Sequence, residues 1–192
     1  RNYRLNEAEQ LDIAAYQRIA AEFGVHLVVR VVEVEDSDFD LGVVREMFEV
    51  NTFGAIAVVQ AALPAMRAAG RGHIIFVSTV GVHLYTPFLS AYRASKAALN
   101  AFADVLAVEV RDFGVRVARV EPGMVATDFS QSTRRSPSLA DPDSPYAPML
   151  QSFGAGFRTW REWVNIPPGE VADAVVALID DPDPPAAQLL GE

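Results

Sequence analysis

The fold is decided by residues 73–123, which read HIIFVSTVGVHLYTPFLSAYRASKAALNAFADVLAVEVRDFGVRVARVEPG. His73–Val77 is a short, continuous apolar run, as is typical of a buried parallel strand. An alanine-rich helix pattern covers Tyr92–Arg111 and stops at Gly114, and Val115–Val120 is a second strand pattern. A strand, a helix and a strand in this order predict a right-handed βαβ unit with a parallel sheet.

Upstream of this unit, helix and strand patterns continue to alternate. Helical spacing predicts a helix over residues 5–23, and the β-branched, apolar stretch His26–Val34 predicts a strand. A long helix pattern runs from about Val43 to Ala69, and we expect Pro64 to kink or break it. Together these elements predict an α/β fold, a doubly wound parallel sheet between two layers of helices.

Downstream of the unit the sequence becomes rich in proline and then in aromatic residues. Regular structure is opposed there by Pro137, Pro142, Pro145 and Pro148. A short helix is then predicted by the spacing of Phe153, Phe157, Trp160 and Trp163. Glu170–Ile179 predicts the final helix. We expect a single domain over residues 1–192, with a segment at about 130–168 whose aromatic side chains either line a lid or pack against the core.

Composition narrows the class of protein. A chain of 192 residues that is 51% hydrophobic can bury a core, which excludes disorder for its bulk. It contains no cysteine, so a disulfide framework and a thiolate metal site are excluded, and we expect a cytoplasmic location. The 25 acidic residues outnumber the 16 basic ones, which argues against a nucleic-acid partner because phosphates need clustered cations.

The sequence shows three further absences. No apolar run reaches ~18 residues without a charge or a breaker, so we expect no membrane span. The chain starts with Arg1-Asn2-Tyr3-Arg4 and shows no apolar segment behind it, so we expect no secretion signal. The three histidines lack metal-ligand spacing, so we expect structural histidines and no metal site.

The strongest candidate for chemistry is the pair Tyr92 and Lys96. A spacing of four residues places both side chains on one face of a helix, and Lys96 is the only lysine of the chain. A tyrosine with a pKa near 10 becomes a useful acid or base at neutral pH if its phenolate is stabilised by ~4 kcal/mol. One cation ~4 Å away supplies about that much. The alternative is an ordinary surface pair on a helix.

Further candidates follow the predicted strands. Ser78 and Thr79 directly follow the first strand of the unit, and Thr79 lies 13 residues before the tyrosine. The second strand leads into Pro122-Gly123. Because ligands bind at the carboxyl ends of parallel strands, these groups are expected at one edge of the sheet. The alternative for both hydroxyls is a plain capping or strand-end role.

This combination resembles the short-chain dehydrogenase/reductase family. The matching stretch runs almost continuously from about Glu46 to Asp128, and Pro167–Gly191 resembles the family's closing helix and last strand. The resemblance implies a Rossmann-like fold and an NAD(P)-dependent oxidoreductase that moves a hydride between the cofactor and a small-molecule carbonyl or secondary alcohol.

The resemblance also implies a role for each matching residue. Tyr92 is the proton donor to the carbonyl oxygen, or the base in the oxidative direction. Lys96 lowers the pKa of the tyrosine and hydrogen-bonds the nicotinamide ribose, and Asn51 anchors a water in the proton relay. Thr79 stands where the family usually has serine, and its hydroxyl orients the carbonyl, with Ser78 as the alternative. The nicotinamide carboxamide is held by Pro122, Gly123, Val125 and Thr127.

The sequence departs from the family upstream. None of the 12 glycines forms the phosphate loop T-G-x-x-x-G-x-G, and the Asn-Asn-Ala-Gly strand is also missing. The alignment starts at the end of the family's second strand, so this is either a fragment with an internal deletion or a sequence from which residues are absent. Arg1 then lies near the adenosine ribose, which favours NADP over NAD. The alternative function is a non-catalytic truncated paralogue that serves as a binding or oligomerisation module.

The two longest helix patterns carry apolar residues on more than one face, over residues 43–69 and 92–112. Because the sheet covers only one face of each helix, the other apolar face needs a second partner to bury it. In the family these helices form a four-helix dimer contact, so the resemblance implies a homodimer or a homotetramer.

Overall fold

The computed structural model describes residues 25–28, 34–35, 40–127, 134–154 and 166–191. In chain order the strands are β1 (Val25–Val28), β2 (Val34–Glu35), β3 (Gly72–Val77), β4 (Val115–Pro122), β5 (Arg134–Arg135) and β6 (Ala187–Leu190). The helices are α1 (Leu41–Phe48), α2 (Gly54–Ala69), α3 (Ser90–Val110), α4 (Pro137–Ala140), α5 (residues 147–154) and α6 (Pro168–Asp180). The predicted helix over residues 5–23 and the position of Arg1 lie outside the described residues.

Four of these strands form a parallel sheet in the order β1-β3-β4-β6, and β2 and β5 pair separately. Strand β3 is central, because it pairs with β1 on one side and with β4 on the other. Its last residue, Val77, lies opposite Val120 of β4. The predicted βαβ unit is therefore confirmed, and the carboxyl ends of β3 and β4 lie side by side.

The sheet is covered on both faces, as expected for a doubly wound fold. Ile74 and Phe76 of β3 pack on one face in a cluster with α2 and α3. Ile75, between them in sequence, lies in a cluster with Leu178 of α6 on the opposite face. Because successive side chains of a strand point to opposite faces, a strand buried on both sides reads as a continuous apolar run.

The helix stop signals are confirmed at two glycines. Gly70 ends α2 and Gly114 follows α3 and its last 3₁₀ turn, and both have the left-handed φ values of 66° and 70°. A Cβ at Gly114 would collide with the carbonyl oxygen of Gly70, so these two turns pack directly on each other. Only glycine allows that approach.

Three predicted boundaries need correction. Of the strand predicted over His26–Val34, the described residues form β1 and β2, which belong to different sheets, and residues 29–33 lie outside the described part of the chain. Pro64 does not end a helix, since α2 continues through it to Ala69. Pro64 is exposed, so the carbonyl that it leaves unpaired can bind water. The proline-rich segment contains α4 and α5, because Pro137 and Pro148 lie in the first turns of these helices, where proline is tolerated.

The helix over Leu41–Ala69 is the one helix of the described residues that is long and apolar enough to cross a membrane by length and composition. The sequence criterion missed it because charged residues such as Arg45 and Glu49 interrupt the apolar run. This is weak evidence for a span, because a core helix passes the same test. Here Ala55, Val59 and Ala62 lie in the buried cluster against the sheet.

Candidate active site

Asn51 lies in an irregular turn between two helices. Glu49–Phe53 is π-helical and joins α1 to α2, and such turns occur frequently at functional sites. The side chain of Asn51 is buried, and its Nδ2 donates a hydrogen bond of 3.1 Å to Ser95 Oγ on α3. The next residue, Thr52, donates through Oγ1 to the backbone oxygen of Ser95 at 2.9 Å. The turn is thus fastened to the helix that carries the tyrosine and the lysine.

Ser95 connects this turn to the tyrosine. Its Oγ accepts from Asn51 and donates to the backbone oxygen of Tyr92 at 2.7 Å. Its side chain is fully buried, so both bonds are shielded from water. Sequence reasoning assigned no role to Ser95 or Thr52. The sequence did contain a signal for Ser95, because its hydroxyl precedes the lysine in Tyr-Arg-Ala-Ser-Lys and lies on a helix face that the apolar pattern predicts to be buried.

Tyr92 and Lys96 both lie on α3, where their spacing of four predicts a shared face, and both are buried, unlike the alternative of a surface pair. Lys96 Nζ donates a hydrogen bond of 2.9 Å to the backbone oxygen of Val77, the last residue of β3. Burial lowers the pKa of Lys96 to about 8, because desolvation disfavours the charged amine. At pH 7 the amine is still roughly nine-tenths protonated. A buried cation is therefore held at the carboxyl end of the central strand.

The two neighbouring hydroxyls after β3 have different surroundings. Thr79 is partly exposed and caps the turn Val80–His83, because its Oγ1 accepts a hydrogen bond of 3.1 Å from the amide of Gly81. That bond uses the oxygen and leaves the hydroxyl hydrogen available to donate. Ser78 is buried, and its Oγ has no hydrogen-bond partner within the described part of the chain.

The turn after β4 is held in place by two other segments. The amide of Gly123 donates to the backbone oxygen of Leu190 in β6 at 2.9 Å, and a Cβ at position 123 would lie only 3.3 Å from that oxygen. Val125 forms a parallel bridge with Ile166. The residues predicted to hold the nicotinamide carboxamide, from Pro122 to Thr127, thus follow β4 at the edge where β3 also ends.

An aromatic contact ties the loop before α3 to the proline-rich segment. Phe88 lies in that loop with a φ of 67°, which is rare for a bulky residue. Its ring meets the edges of Tyr146 and Phe153 at centroid distances of 6.2 and 6.4 Å. Phe153 therefore packs against the loop that leads to the tyrosine. The other predicted lid aromatics, Phe157, Trp160 and Trp163, lie outside the described residues.

A buried carboxylate at this edge was not assigned a role from the sequence. Glu121 is fully buried and hydrogen-bonds His83, Asn100 and Arg119. His83 is thus a partnered histidine, as predicted. His73 differs, because its buried Nε2 has no partner in the described chain, and burial followed by the nearby Arg116 lowers its pKa. Among the described residues, no group of three or more His, Asp or Glu is placed to hold a metal ion.

Comparison with known proteins places this arrangement in a family. A family model described as short chain dehydrogenase matches residues 9–138. Oxidoreductase BOA17 of Botryotinia fuckeliana is 33% identical over 158 residues, which cover 82% of this chain and 56% of the relative. A Dehydrogenase/reductase SDR family member 7B of Danio rerio is 43% identical over 93 residues, 48% of this chain and 30% of the relative. The chain spans about half the length, or less, of these curated relatives.

Solved structures with the same fold cover most of the chain. A short-chain dehydrogenase from Streptomyces avermitilis superposes with a TM-score of 0.72 at 26% identity, over 93% of this chain and 66% of that one. An alcohol dehydrogenase from Thermococcus sibiricus, complexed with 5-hydroxy-NADP, superposes with a TM-score of 0.69 at 20% identity, over 93% of this chain and 68% of that one. The second likeness shows the fold alone. With more than half of its length matched by the family model, the chain belongs to the short-chain dehydrogenase/reductase family of oxidoreductases.

Proposed function

We propose that this chain carries the proton-transfer site of an NAD(P)-dependent oxidoreductase that acts on a carbonyl or a secondary alcohol. The observation that carries the proposal is the buried Lys96 ammonium, held by Val77 O on the same helix face as the buried Tyr92. Family membership supports the reaction class. A non-catalytic module would have no use for a desolvated cation on the helix face that carries the tyrosine, and no contact described above favours such a module.

The nicotinamide end of a cofactor fits the residues at this edge. An ammonium has three donors, and Val77 O uses one of those of Lys96, which leaves two N–H groups for ribose hydroxyls. The turn from Pro122 to Thr127 offers backbone groups for the carboxamide. The pyrophosphate end has no glycine pattern in this sequence. NADP is proposed ahead of NAD on the basis of Arg1, and the 5-hydroxy-NADP complex of the Thermococcus sibiricus enzyme supports a nicotinamide cofactor.

In the reductive direction, the hydroxyl of Tyr92 gives its proton to the carbonyl oxygen, and in the oxidative direction its phenolate takes the proton from the alcohol. When bound, a nicotinamide cofactor supplies or accepts the hydride at the carbon. The positive charge of Lys96 stabilises the phenolate that remains after proton donation. The hydroxyl hydrogen of Thr79 orients the carbonyl oxygen, and Asn51 holds a water that returns the proton.

The substrate is proposed to be apolar. The segment from residue 130 to 168 supplies Tyr146 and Phe153, which meet Phe88 in the loop next to the tyrosine. Aromatic side chains at the entrance favour hydrophobic carbonyls or alcohols over sugars. Turnover confined to polar polyols in an activity screen would contradict this part of the proposal.

The first test is cofactor binding and turnover. We expect NADPH and NADH titrations, followed by nicotinamide fluorescence, to show binding. Tyr92→Phe should then lower turnover by ~10³-fold with nearly unchanged cofactor affinity, because only the proton donor is lost. Tyr85→Phe is the matched control, since Tyr85 is 91% exposed and the variant keeps its ring. Undiminished turnover in Tyr92→Phe would refute the assignment, and absence of binding would favour the non-catalytic alternative.

A homodimer or homotetramer through α2 and α3 is also proposed, as is a cytoplasmic location on the cysteine-free composition. Most of the apolar residues that suggested the contact pack within the chain, and Phe102 meets Phe76 of β3 edge-on. The outer face of α3 retains an exposed stripe of Ala97, Ala101, Val105 and Val108. Light scattering should give an assembly for the native chain and a monomer for Val105→Glu, and a monomeric native chain would refute the contact.

A further inference from the structure

Glu121 is a buried charged group that the proposed mechanism does not use. It lies in β4 directly before Pro122, and its side chain is fully buried. Oε1 accepts hydrogen bonds from Asn100 Nδ2 at 2.8 Å and from Arg119 Nε at 3.0 Å, and Oε2 accepts one from His83 Nε2 at 2.7 Å. Both carboxylate oxygens are therefore occupied by donors from the protein.

These donors come from the segments that carry the proposed site. His83 is the last residue of the turn that Thr79 caps. Asn100 lies four residues, one helical turn, after Lys96 on α3. Glu121 itself leads into the Pro122-Gly123 turn. A single carboxylate thus joins the segment of the orienting hydroxyl, the helix of the proton donor and the segment that would hold the carboxamide.

The fourth participant, Arg119, strengthens this junction from within β4. Its Nε contacts Glu121, and its Nη1 donates to the backbone oxygen of Asn100 at 3.4 Å and to Asp104 of α3. The guanidinium is mostly buried, whereas Asp104 is half-exposed. The cation compensates the buried carboxylate and adds a second link between β4 and α3.

Stability alone is a weak reason for this arrangement. Burying a carboxylate and a guanidinium costs solvation free energy, and well-packed apolar residues often replace such groups without loss. What apolar residues lack is direction, because hydrogen bonds fix the angle and the spacing of the segments that they join.

We propose that Glu121 is a positioning residue, which sets the Thr79 turn, the Tyr92–Lys96 helix and the Pro122-Gly123 turn at their working distances. The inference rests on the proposed function, because that function identifies the groups that Glu121 positions. It assigns to Glu121 no contact with substrate or cofactor.

Hydrogen exchange tests the junction without any ligand. The amide of Gly81 is bonded to Thr79 Oγ1, and the amide of Gly123 is bonded to Leu190 O, so each reports on one joined segment. In Glu121→Leu we expect both amides to exchange about tenfold faster than in the native chain, with the amides of β3 unchanged. Equal acceleration throughout the sheet would mean a loss of overall stability only, and would overturn the proposal.

Three variants separate the contributions. His83→Ala removes one exposed partner, so Gly81 should exchange about tenfold faster while Gly123 stays unchanged. Glu121→Gln should remain near the native pattern, because an amide keeps an acceptor for Asn100 and Arg119 and can donate to the other tautomer of His83. Asp104→Asn, at the exposed end of the network, is the control and should change neither amide. If His83→Ala accelerated exchange at the amide of Gly123 as strongly as at the amide of Gly81, the two segments would not be held by separate hydrogen bonds of Glu121.

Turnover gives the second readout, on the same variants. Since displacement of catalytic groups lowers kcat, we expect Glu121→Leu and His83→Ala each to reduce kcat about tenfold with a smaller change of KM, whereas Glu121→Gln should keep a kcat near the native value. If the amides exchange as expected but the chain shows no turnover, the proposed function is rejected and the junction at Glu121 remains supported. Native kcat in Glu121→Leu would reject the positioning role and leave the proposed function standing.

Discussion

The two halves of the buried face of α3 differ in kind. Its first half buries Tyr92, Ser95, Lys96 and Asn100, and its second half buries Leu106 and Val110 against the sheet. In the first half Lys96, Ser95 and Asn100 make directed hydrogen bonds to Val77 O, Asn51 and Glu121, while Tyr92 packs against Met47 and Leu99 joins the apolar cluster. The buried side chains of the second half, in contrast, pack by apolar contact.

The two halves of α3 therefore serve different purposes: one stabilises the fold, and the other holds the polar groups of the candidate site. The apolar half lies beside the middle and the amino ends of β3 and β4, where it supplies hydrophobic stabilisation. The polar half lies at the carboxyl ends, where a desolvated amine opposes stability. The apolar half holds α3 in place on the sheet. The polar half can therefore keep side chains that lower the stability of the fold.

The largest effect on stability is expected in the apolar half. Leu106→Ala should lower the free energy of unfolding by about 3 kcal/mol, because it leaves a cavity in a cluster that cannot collapse fully. Urea denaturation measures the change. The control is Val176→Ala on α6, whose side chain is 55% exposed and whose loss should stay under ~0.5 kcal/mol. Similar losses for the two variants would show that α3 does not pack as described.

A smaller effect of the opposite sign is expected at Lys96. Lowering its pKa from 10.5 to about 8 corresponds to about 3 kcal/mol of penalty on the charged amine, and the hydrogen bond to Val77 O offsets about 1 kcal/mol. Lys96→Met should thus raise the free energy of unfolding by about 2 kcal/mol at pH 7.

The pH dependence of that gain follows from the direction of the shift. The folded chain holds its proton less tightly than the unfolded chain, so the penalty is fully present below pH 8 and disappears as the pH rises towards 10.5. Urea denaturation of both chains between pH 7 and 10 should show the gap closing. A gap that is constant with pH would mean that the amine is not desolvated in the fold.

The smallest of these effects is expected at Ser95, whose hydroxyl joins α3 to the π-helical turn at Glu49–Phe53. Ser95→Ala should lower the free energy of unfolding by about 1 kcal/mol, since Asn51 Nδ2 loses its buried acceptor. The exposed Ser90 on the same helix is the control, and Ser90→Ala should change stability by less than ~0.5 kcal/mol. Indistinguishable results for the two serines would contradict the buried link.

Sequence reasoning succeeded where one local pattern fixes the outcome. The apolar run at His73–Val77 gave β3, and the spacing of four placed Tyr92 and Lys96 on one buried face of α3. The parallel sheet followed from the order of the elements. Each of these depends on residues that are close in sequence, so periodicity is enough.

The contacts of Glu121 could not be predicted, because its partners at positions 83, 100 and 119 meet only after three segments have folded together. The π-helical turn at Glu49–Phe53 was missed for a similar reason, since its sequence fits an ordinary helix and its bonds to Ser95 come from α3. The helices α4 and α5 were missed because proline was taken only as a helix breaker, although it also starts helices.

The π-helical turn has a consequence for insertions and deletions in this segment. Such a turn accommodates one residue more than a regular helix over the same length. Removing a single residue from Glu49–Phe53 would restore regular hydrogen bonding over the same length, but it would redistribute the side chains of the turn around the helix axis. Asn51 and Thr52 would then lose the positions from which they bond Ser95. We therefore expect natural variation here to conserve the number of residues together with Asn51 and Thr52.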